Sequence, residues 1–366
     1  MAVARDDFQY HHGTTPDLLT RVKGLTFIRY ARALGIAKGD PLVAAAFAQA
    51  QNWTQREAIV WQLKAAVTPV SYNDVNFGPV YDDLAEYLRP RMLVGKLTSL
   101  RRVPVNTRLV RGTGGARASW VGGGAPVPAS HASYTETGVL QPLKLGTIIV
   151  ATKDAIERSS IVSERMLLDE SGAAIVQELD RSFIDPSLGA VANERPASIT
   201  HGATQISSGG SSIAAIDADL KTMMTTLTGA GISLANAAWC LHPTTAANMS
   251  LMRDAGGLAY PGITANGGTL AGLPAVTSEA LSAGGSPGER NIALVAQDQV
   301  DVADEDGGEI EYAQHAALQL DDAPSSSAQP MTSLWQLGLV GFKVVRFLNW
   351  QARRSGAVVV LRDVTF

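Results

Sequence analysis

The sequence of 366 residues has a single cysteine, Cys240, set in the apolar run AAWCLH. One thiol excludes a disulfide framework within the chain and any cysteine-ligated metal site, and its neighbours predict a buried, inert side chain. No apolar run approaches the roughly 20 residues of a membrane helix, and the N-terminus lacks a basic-then-apolar signal pattern. Both absences predict a soluble protein made in the cytoplasm, with no membrane partner. Charge is also sparse: Asp, Glu, Lys and Arg make up 17% of the chain, with a net charge of −4. Such a surface suits burial against copies of itself, and its sign argues against tight wrapping of nucleic acid.

Catalytic signatures are missing too. The sequence has no G-x-x-x-x-G-K-[ST], no G-x-S-x-G and no H-E-x-x-H, and the glycines at 112–115 and 122–124 lack G-x-G-x-x-G spacing. His131, His201, His242 and His315 fall in different segments, so a triad would need them to converge in space. His11 and His12 lie in a polar terminus that reads as a flexible tail rather than a metal site. No catalytic residue, cofactor or metal is expected. The enzyme alternative, a hydrolase using His131 with a nearby serine, predicts a small oligomer and a pocket with a perturbed histidine.

What the chain does contain is 46% hydrophobic residues, enough for at least two globular parts, and 35 glycines with 17 prolines, which imply many turns between short elements. The clearest element is the stretch 163–186, SERMLLDESGAAIVQELDRSFIDP. Leu168, Ile175, Leu179 and Phe183 share one face of a 3.6-residue period, Ser163 can cap the start, Pro186 stops it and Gly172 is its weak point. The pattern predicts a spine helix over 163–185, about 30 Å long at 1.5 Å per residue.

Before it, residues 16–64 read as a helical pair broken at Gly39 and Pro41. Arg21, Lys23, Arg29, Arg32 and Lys38 cluster there, giving either a solvated face or a face toward a nucleic-acid backbone. Residues 67–90 read as an extended arm and a short helix, VYDDLAEYLRP. From Arg89 to Arg117 there is no acidic residue, and VPVNTRLVRGT, a Gly-rich turn and ASWVGGGAPVPASHASYTETGVL make a long hairpin too polar to bury both faces. LGTIIVAT is a strand feeding the spine helix, and the polar run after Pro186 marks a domain boundary.

Further on, residues 211–231 predict a second helix, and AAWCLHPTTAANMSLMRDAGG a buried strand ended by Pro243 and a helix capped by Thr244 and closed by Gly256 and Gly257. Gly272 opens a tight turn. Residues 291–322 return to strands with a hairpin turn at Asp306, Gly307 and Gly308, and carry nine acids against no lysine or arginine. That acidic run reads either as a solvated edge that resists aggregation or as the partner of basic hairpin residues on another copy, setting register during assembly. A loop at 322–333, a long strand, a turn at Ser355 and Gly356, and a final apolar strand complete the chain.

The order RRVPVNTRLVR, Gly-rich turn, ASWVGGGAPVPASHASYTE, LGTIIVATKDAIERSS and long helix resembles the major capsid proteins of tailed bacteriophages with the HK97-type fold. The strand ending in His-Pro, the helix ending in Asp-Ala-Gly-Gly and the Gly-Leu-Pro turn are similar to the axial domain of that family. The resemblance implies an α+β fold: an N-terminal helical segment and arm (1–95), an extended hairpin or E-loop (96–143), a P domain (144–195 and 296–351) and an A domain (196–295 and 352–366). It implies hexamers and pentamers closing into an icosahedral head around double-stranded DNA held by weak, non-specific contacts. It also implies portal, scaffold, maturation-protease and decoration-protein partners, and location in a virion assembled in the host cytoplasm. Intersubunit contacts are expected at Arg101, Arg102, Arg108, Arg111, Arg117, Trp120, Asp304, Glu305, Asp306, Asp321 and Asp322, and DNA-facing residues at Arg21, Lys23, Arg29, Arg32 and Lys38. Some members crosslink through an E-loop lysine; Val127 stands in that place in GAPVPAS, so this route is not expected here. The first 66 residues are expected to persist in the mature particle. The fold also serves encapsulin-like compartments that enclose protein, and nuclease-resistant DNA inside the shells discriminates between the two.

Overall fold

The computed structural model describes residues 23–51, 53, 55–65, 78–114, 120–121, 133–154, 161–281, 290–319, 331–354 and 356–366. In chain order these form α1 (Leu25–Ile36), α2 (Pro41–Ala50), α3 (Arg56–Ala65), α4 (Gly78–Leu88), the single turn α5 (Leu93–Lys96), β1 (Arg101–Arg102), β2 (Arg108–Gly114), β3 (Ser133–Val139), β4 (Leu143–Thr152) and α6 (Ile161–Ile184). Then come β5 (Thr204–Ser207), α7 (Ile213–Gly229), β6 (Ala237–Leu241), α8 (Pro243–Leu251), β7 (Arg253–Asp254), β8 (Gly257–Leu258), β9 (Ile263–Thr264), β10 (Gly267–Leu270), β11 (Leu273–Thr277), β12 (Arg290–Ala296), β13 (Val300–Ala313), β14 (Ala317–Leu318), β15 (Thr332–Ser333), β16 (Leu339–Ala352) and β17 (Val358–Val364). The extended arm expected before α4 and the tip of the long hairpin lie outside the described residues.

Two mixed sheets organise these elements. One has the order β1-β13-β16-β4 and the other β5-β17-β12-β6-β11-β10-β9. In the larger sheet β6 is buried along its whole length, and its Trp239 Nε1 donates to the Leu270 carbonyl at 2.9 Å, tying the strand to the hairpin edge. In the smaller sheet β13 and β16 pair antiparallel nearly end to end. The hairpin turn expected at Asp306–Gly308 is therefore absent. Asp304 pairs with Leu348 and Gly308 with Arg346, so the Gly-containing stretch is a bulge inside one continuous strand.

The α6 helix fills the role its sequence predicts. Leu168, Ile175, Leu179 and Phe183 are all buried, and the Phe183 ring meets Trp350 of β16 edge-on at 5.3 Å. The helix starts at Ile161, which places Ser163 inside its first turn rather than at the cap. Gly172 is a point of close approach, not of weakness: a Cβ there would lie 2.7 Å from Tyr87 Cε1 on α4. Tyr87 is held in place by donating its hydroxyl hydrogen to Asp169 and accepting from Arg91.

Local chemistry departs from expectation at three further places. The run from Pro41 to Ala65 splits into α2 and α3, because the chain turns to set Trp53 against Phe47 at 5.8 Å and beneath Arg29 at 5.5 Å. The cap of α8 is His242, whose Nδ1 accepts from the Thr244 amide at 3.2 Å; Thr244 itself is already helical. Gly256 and Gly257 serve the small β7–β8 hairpin, since α8 ends at Leu251.

Candidate assembly interface

Among the described residues, the long hairpin is anchored at its root. Arg108 pairs with Val139 and Leu109 with Gly138, and Leu109 and Leu140 join Val103 and Ala303 in a small buried cluster. Outward from that cluster Val110 and Val139 are about half exposed, and Trp120 is fully exposed. A large indole in water with no cover from its own chain marks a contact surface, because such side chains dominate binding energy when a partner buries them. Arg108 is exposed on the same hairpin.

Part of the basic block and part of the acidic block meet inside one chain, at β1 and β13. β1 runs parallel to β13 with Arg101 beside Asp301. Arg101 Nε lies 3.5 Å from Asp301 Oδ1, Arg353 Nε lies 3.8 Å from Oδ2, and Arg102 Nη1 lies 3.8 Å from Asp304 Oδ2. Asp304 is also gripped by Arg346 through Nη2 at 2.6 Å and Nε at 3.2 Å, a two-point bond in a nearly buried setting. Arg101, Arg102 and Asp304 thus satisfy charge within the subunit. Arg111 lies on β2 and Glu305 and Asp306 on β13, but their side chains are not among those described; Arg117, Asp321 and Asp322 lie outside the described residues.

The residues expected to face DNA are also dispersed. Arg21 lies outside the described residues, and Lys23 pairs with Glu86 at 3.1 Å. Arg29 is only 6% exposed, donates to Gln55 Oε1 at 2.6 Å and lies over Trp53, so it is an interior residue. Arg32 also sits over Trp53, at 6.0 Å, while Lys38 is exposed in the turn after α1. Helical spacing explains the result: α1 packs most of its surface against α2, α3, α4 and α6, leaving little of it for an outward basic face.

One polar junction was not foreseen. Asp180 on α6 is 4% exposed; its Oδ1 accepts from the Leu93 amide at 2.8 Å and its Oδ2 from the Ser278 hydroxyl at 2.7 Å. Burial pushes this carboxyl up to about 6, against the pull of those two hydrogen bonds and of Lys96. Lys96 Nζ donates to the Thr277 carbonyl at 2.7 Å, so the segment entering the hairpin, the spine helix and the larger sheet are tied together at one point. The only sequence signal was an acid directly beside Leu179 on the apolar face. Nearby Cys240 is fully buried, its thiol pushed up to about 12 by burial.

Among the described residues, no group of three or more His, Cys, Asp or Glu is placed to hold a metal ion. No described helix is long and apolar enough to cross a membrane. His242 is held below its usual range by burial and by Arg290, and its role is the helix cap already described.

The model of the Phage capsid family matches residues 79–362. The chain belongs to the phage capsid family. This phage capsid family chain is 35% identical over 364 residues to a capsid polyprotein of Pseudomonas phage PAJU2, a match covering 93% of the chain. It spans about half, 52%, of the length of that relative. Among solved structures it is similar to a chain from Mycobacterium phage Ogopogo, with a TM-score of 0.56 at 15% identity, covering 74% of this chain and 92% of that one. A chain from Gordonia phage Cozz gives 0.52 at 18% identity, covering 72% and 84%. The family's members are structural proteins, and the HK97-type α+β fold inferred from the hairpin, strand and spine helix is the fold of this chain.

Proposed function

We propose that this chain is the shell-forming subunit of a phage head, assembling as hexamers and pentamers into a closed icosahedral container for double-stranded DNA. The observation that carries the reading is the hairpin, held at its root by Leu109 and Leu140 and carrying a fully exposed Trp120 that its own chain leaves uncovered. A neighbouring copy is the natural cover, and closed symmetry multiplies many modest contacts of that kind into a stable wall. Family membership supports the same reading.

On this reading residues 96–143 form the E-loop. The four-stranded sheet with α6 is the core of the P domain (144–195 and 296–351), and the seven-stranded sheet with α7 and α8 is that of the A domain (196–295 and 352–366). Residues 1–95 supply the helical segment and arm. Arg101, Arg102 and Asp304 pair within the chain, and on this reading Trp120, Arg108, Arg111, Arg117, Glu305, Asp306, Asp321 and Asp322 are the residues assigned to contact between subunits. Lys38 and the net charge of −4 fit weak, non-specific contact with packaged DNA. Portal, scaffold and decoration proteins are the remaining partners, and the assembled protein resides in the virion.

Electron microscopy of the expressed protein after size-exclusion chromatography tests the proposal. Closed shells or rings of five and six are expected. Trp120→Ala and charge reversal at Arg108 should each reduce assembly, and Trp120→Ala should leave the melting of the isolated subunit unchanged, since that side chain is fully exposed. A stable small oligomer with unaltered assembly in both variants refutes it.

A further inference from the structure

A cleft of about 640 Å³ opens where the two sheets join, beside the root of the hairpin. Arg195, His201, Arg353 and Arg354 line it together with Trp350 and Gln141, and no acidic side chain is among its lining residues. Arg353 leans on Asp301 behind the wall at 3.8 Å. Among the described residues no carboxylate lies within ion-pair distance of Arg195 or Arg354. Arg195 Nε is buried without a hydrogen-bond partner, and Nη2 reaches only the Gly189 carbonyl at 3.4 Å. The walls are firm: Trp350 Nε1 donates to the Ala197 carbonyl at 2.9 Å and Asn349 Nδ2 to the Gln141 carbonyl at 2.7 Å. A firm, cationic cleft with unpaired guanidinium groups takes an anionic ligand. Its volume is that of a small-ligand pocket, which admits a short extended peptide but not a nucleic-acid duplex.

The chain itself carries a run of acids of the complementary sign. Of the nine acids between Asp298 and Asp322, Asp301, Asp304 and Glu311 are already paired within the subunit, to Arg101 and Arg353, to Arg346, and to Lys343. Asp321 and Asp322 begin a proline- and serine-rich stretch, a composition suited to lying extended in a cleft. They cannot reach the cleft of their own chain. Leu318 packs at 3.8 Å from the Cβ position of Gly341, near the start of β16, whereas the cleft lies at the other end of that strand, around Gln351. Ten residues of strand separate those points, about 33 Å at 3.3 Å per residue. From Gln319 to Asp322 the chain extends at most about 11 Å.

We propose that the cleft lined by Arg195, Arg353 and Arg354 receives the Asp321–Asp322 segment of a second copy. The inference rests on the shell reading and deepens it. Because the segment leaves the described chain at Gln319, near the start of β16, and the cleft lies at the other end of that strand, the contact is head-to-tail: each copy gives acids to one neighbour and receives them from another. Such a heterologous contact closes into rings when its rotation allows. The charge pairing fixes register and speeds encounter.

The fully buried Cys240 leaves a clean background for crosslinking. Two full-length variants, Arg354→Cys and Asp322→Cys, are mixed, assembled and oxidised with copper phenanthroline, and chains are separated without reductant. A dimer band is expected from the mixture and from neither variant alone. Particles that form normally without that band overturn the docking and leave the shell reading standing. Failure of the unsubstituted chain to form anything beyond a dimer removes the shell reading and the docking with it. In a second arm, Arg354→Glu and Asp321→Arg should each lower particle yield at least tenfold, and the two together in one chain should restore it. Normal particles of Arg354→Glu that have lost their DNA would assign the cleft to nucleic acid and overturn the proposal.

Discussion

Asp180 should make the isolated subunit less stable at neutral pH than in mild acid. Its carboxyl is buried at the meeting of α5, α6 and the larger sheet, and desolvation raises it from 3.8 to about 6. The folded chain therefore holds this proton more tightly than the unfolded chain does. The sign follows: the stabilisation is complete below about pH 4, declines as pH rises toward 6 and is lost above it. A shift of about two pK units corresponds to about 3 kcal/mol. Asp180→Asn keeps an oxygen to accept from the Leu93 amide and sets an amide against the Ser278 hydroxyl, while removing the ionisation. It should match or exceed the parent at pH 7.5 by up to about 3 kcal/mol and lose the pH dependence between 4 and 7. Asp180→Ala instead strands the Leu93 amide and should cost about 1–3 kcal/mol. Urea unfolding of unassembled subunits at pH 4.5, 6.0 and 7.5 separates these cases. If Asp180→Asn loses 2 kcal/mol or more at pH 7.5, the ionised carboxylate is a net stabiliser through Lys96 and the desolvation argument is wrong.

Gly172→Ala, which would gain about 1 kcal/mol in an exposed helix, should lose about 1–3 kcal/mol here because its Cβ would meet the Tyr87 ring; thermal melts give the sign directly. Arg346→Met should cost about 3–5 kcal/mol by leaving Asp304 with only the longer contact to Arg102, and adding Asp304→Leu should recover much of that loss in denaturant titrations. Cys240 should resist thiol reagents in the native subunit and react at once in urea, because it is fully buried and its thiol is pushed up to about 12; rapid native labelling would contradict the packing of β6.

Periodicity made the main scaffold legible. The apolar steps of α6 and the continuous apolar runs of β6, β16 and β17 each have one physical solution, burial on a single face or on both. What stayed hidden depends on partners distant in sequence. Nothing near Asp306 says that β16 will bind both halves of β13, so a glycine-rich bulge read as a turn. Arg29 looked like part of a basic face because its partners, Gln55 and Trp53, arrive from beyond the next helix. The charge blocks were visible, but whether they meet within one chain or between two is set by the parallel pairing of β1 with β13. His242 took the cap from Thr244 because Pro243 already occupies the first helical position.

The two sheets are joined by three covalent crossings: residues 185–203, the three residues between β12 and β13, and the five between β16 and β17. In a container under internal pressure, tension across that seam is divided among three backbones in parallel rather than left to side-chain packing. Two of the tethers are short and leave from neighbouring strand ends, so they restrain sliding and leave rotation as the compliant motion. A wall built from such units strains by tilting its tiles, and it gives way first at the contacts between tiles rather than within them.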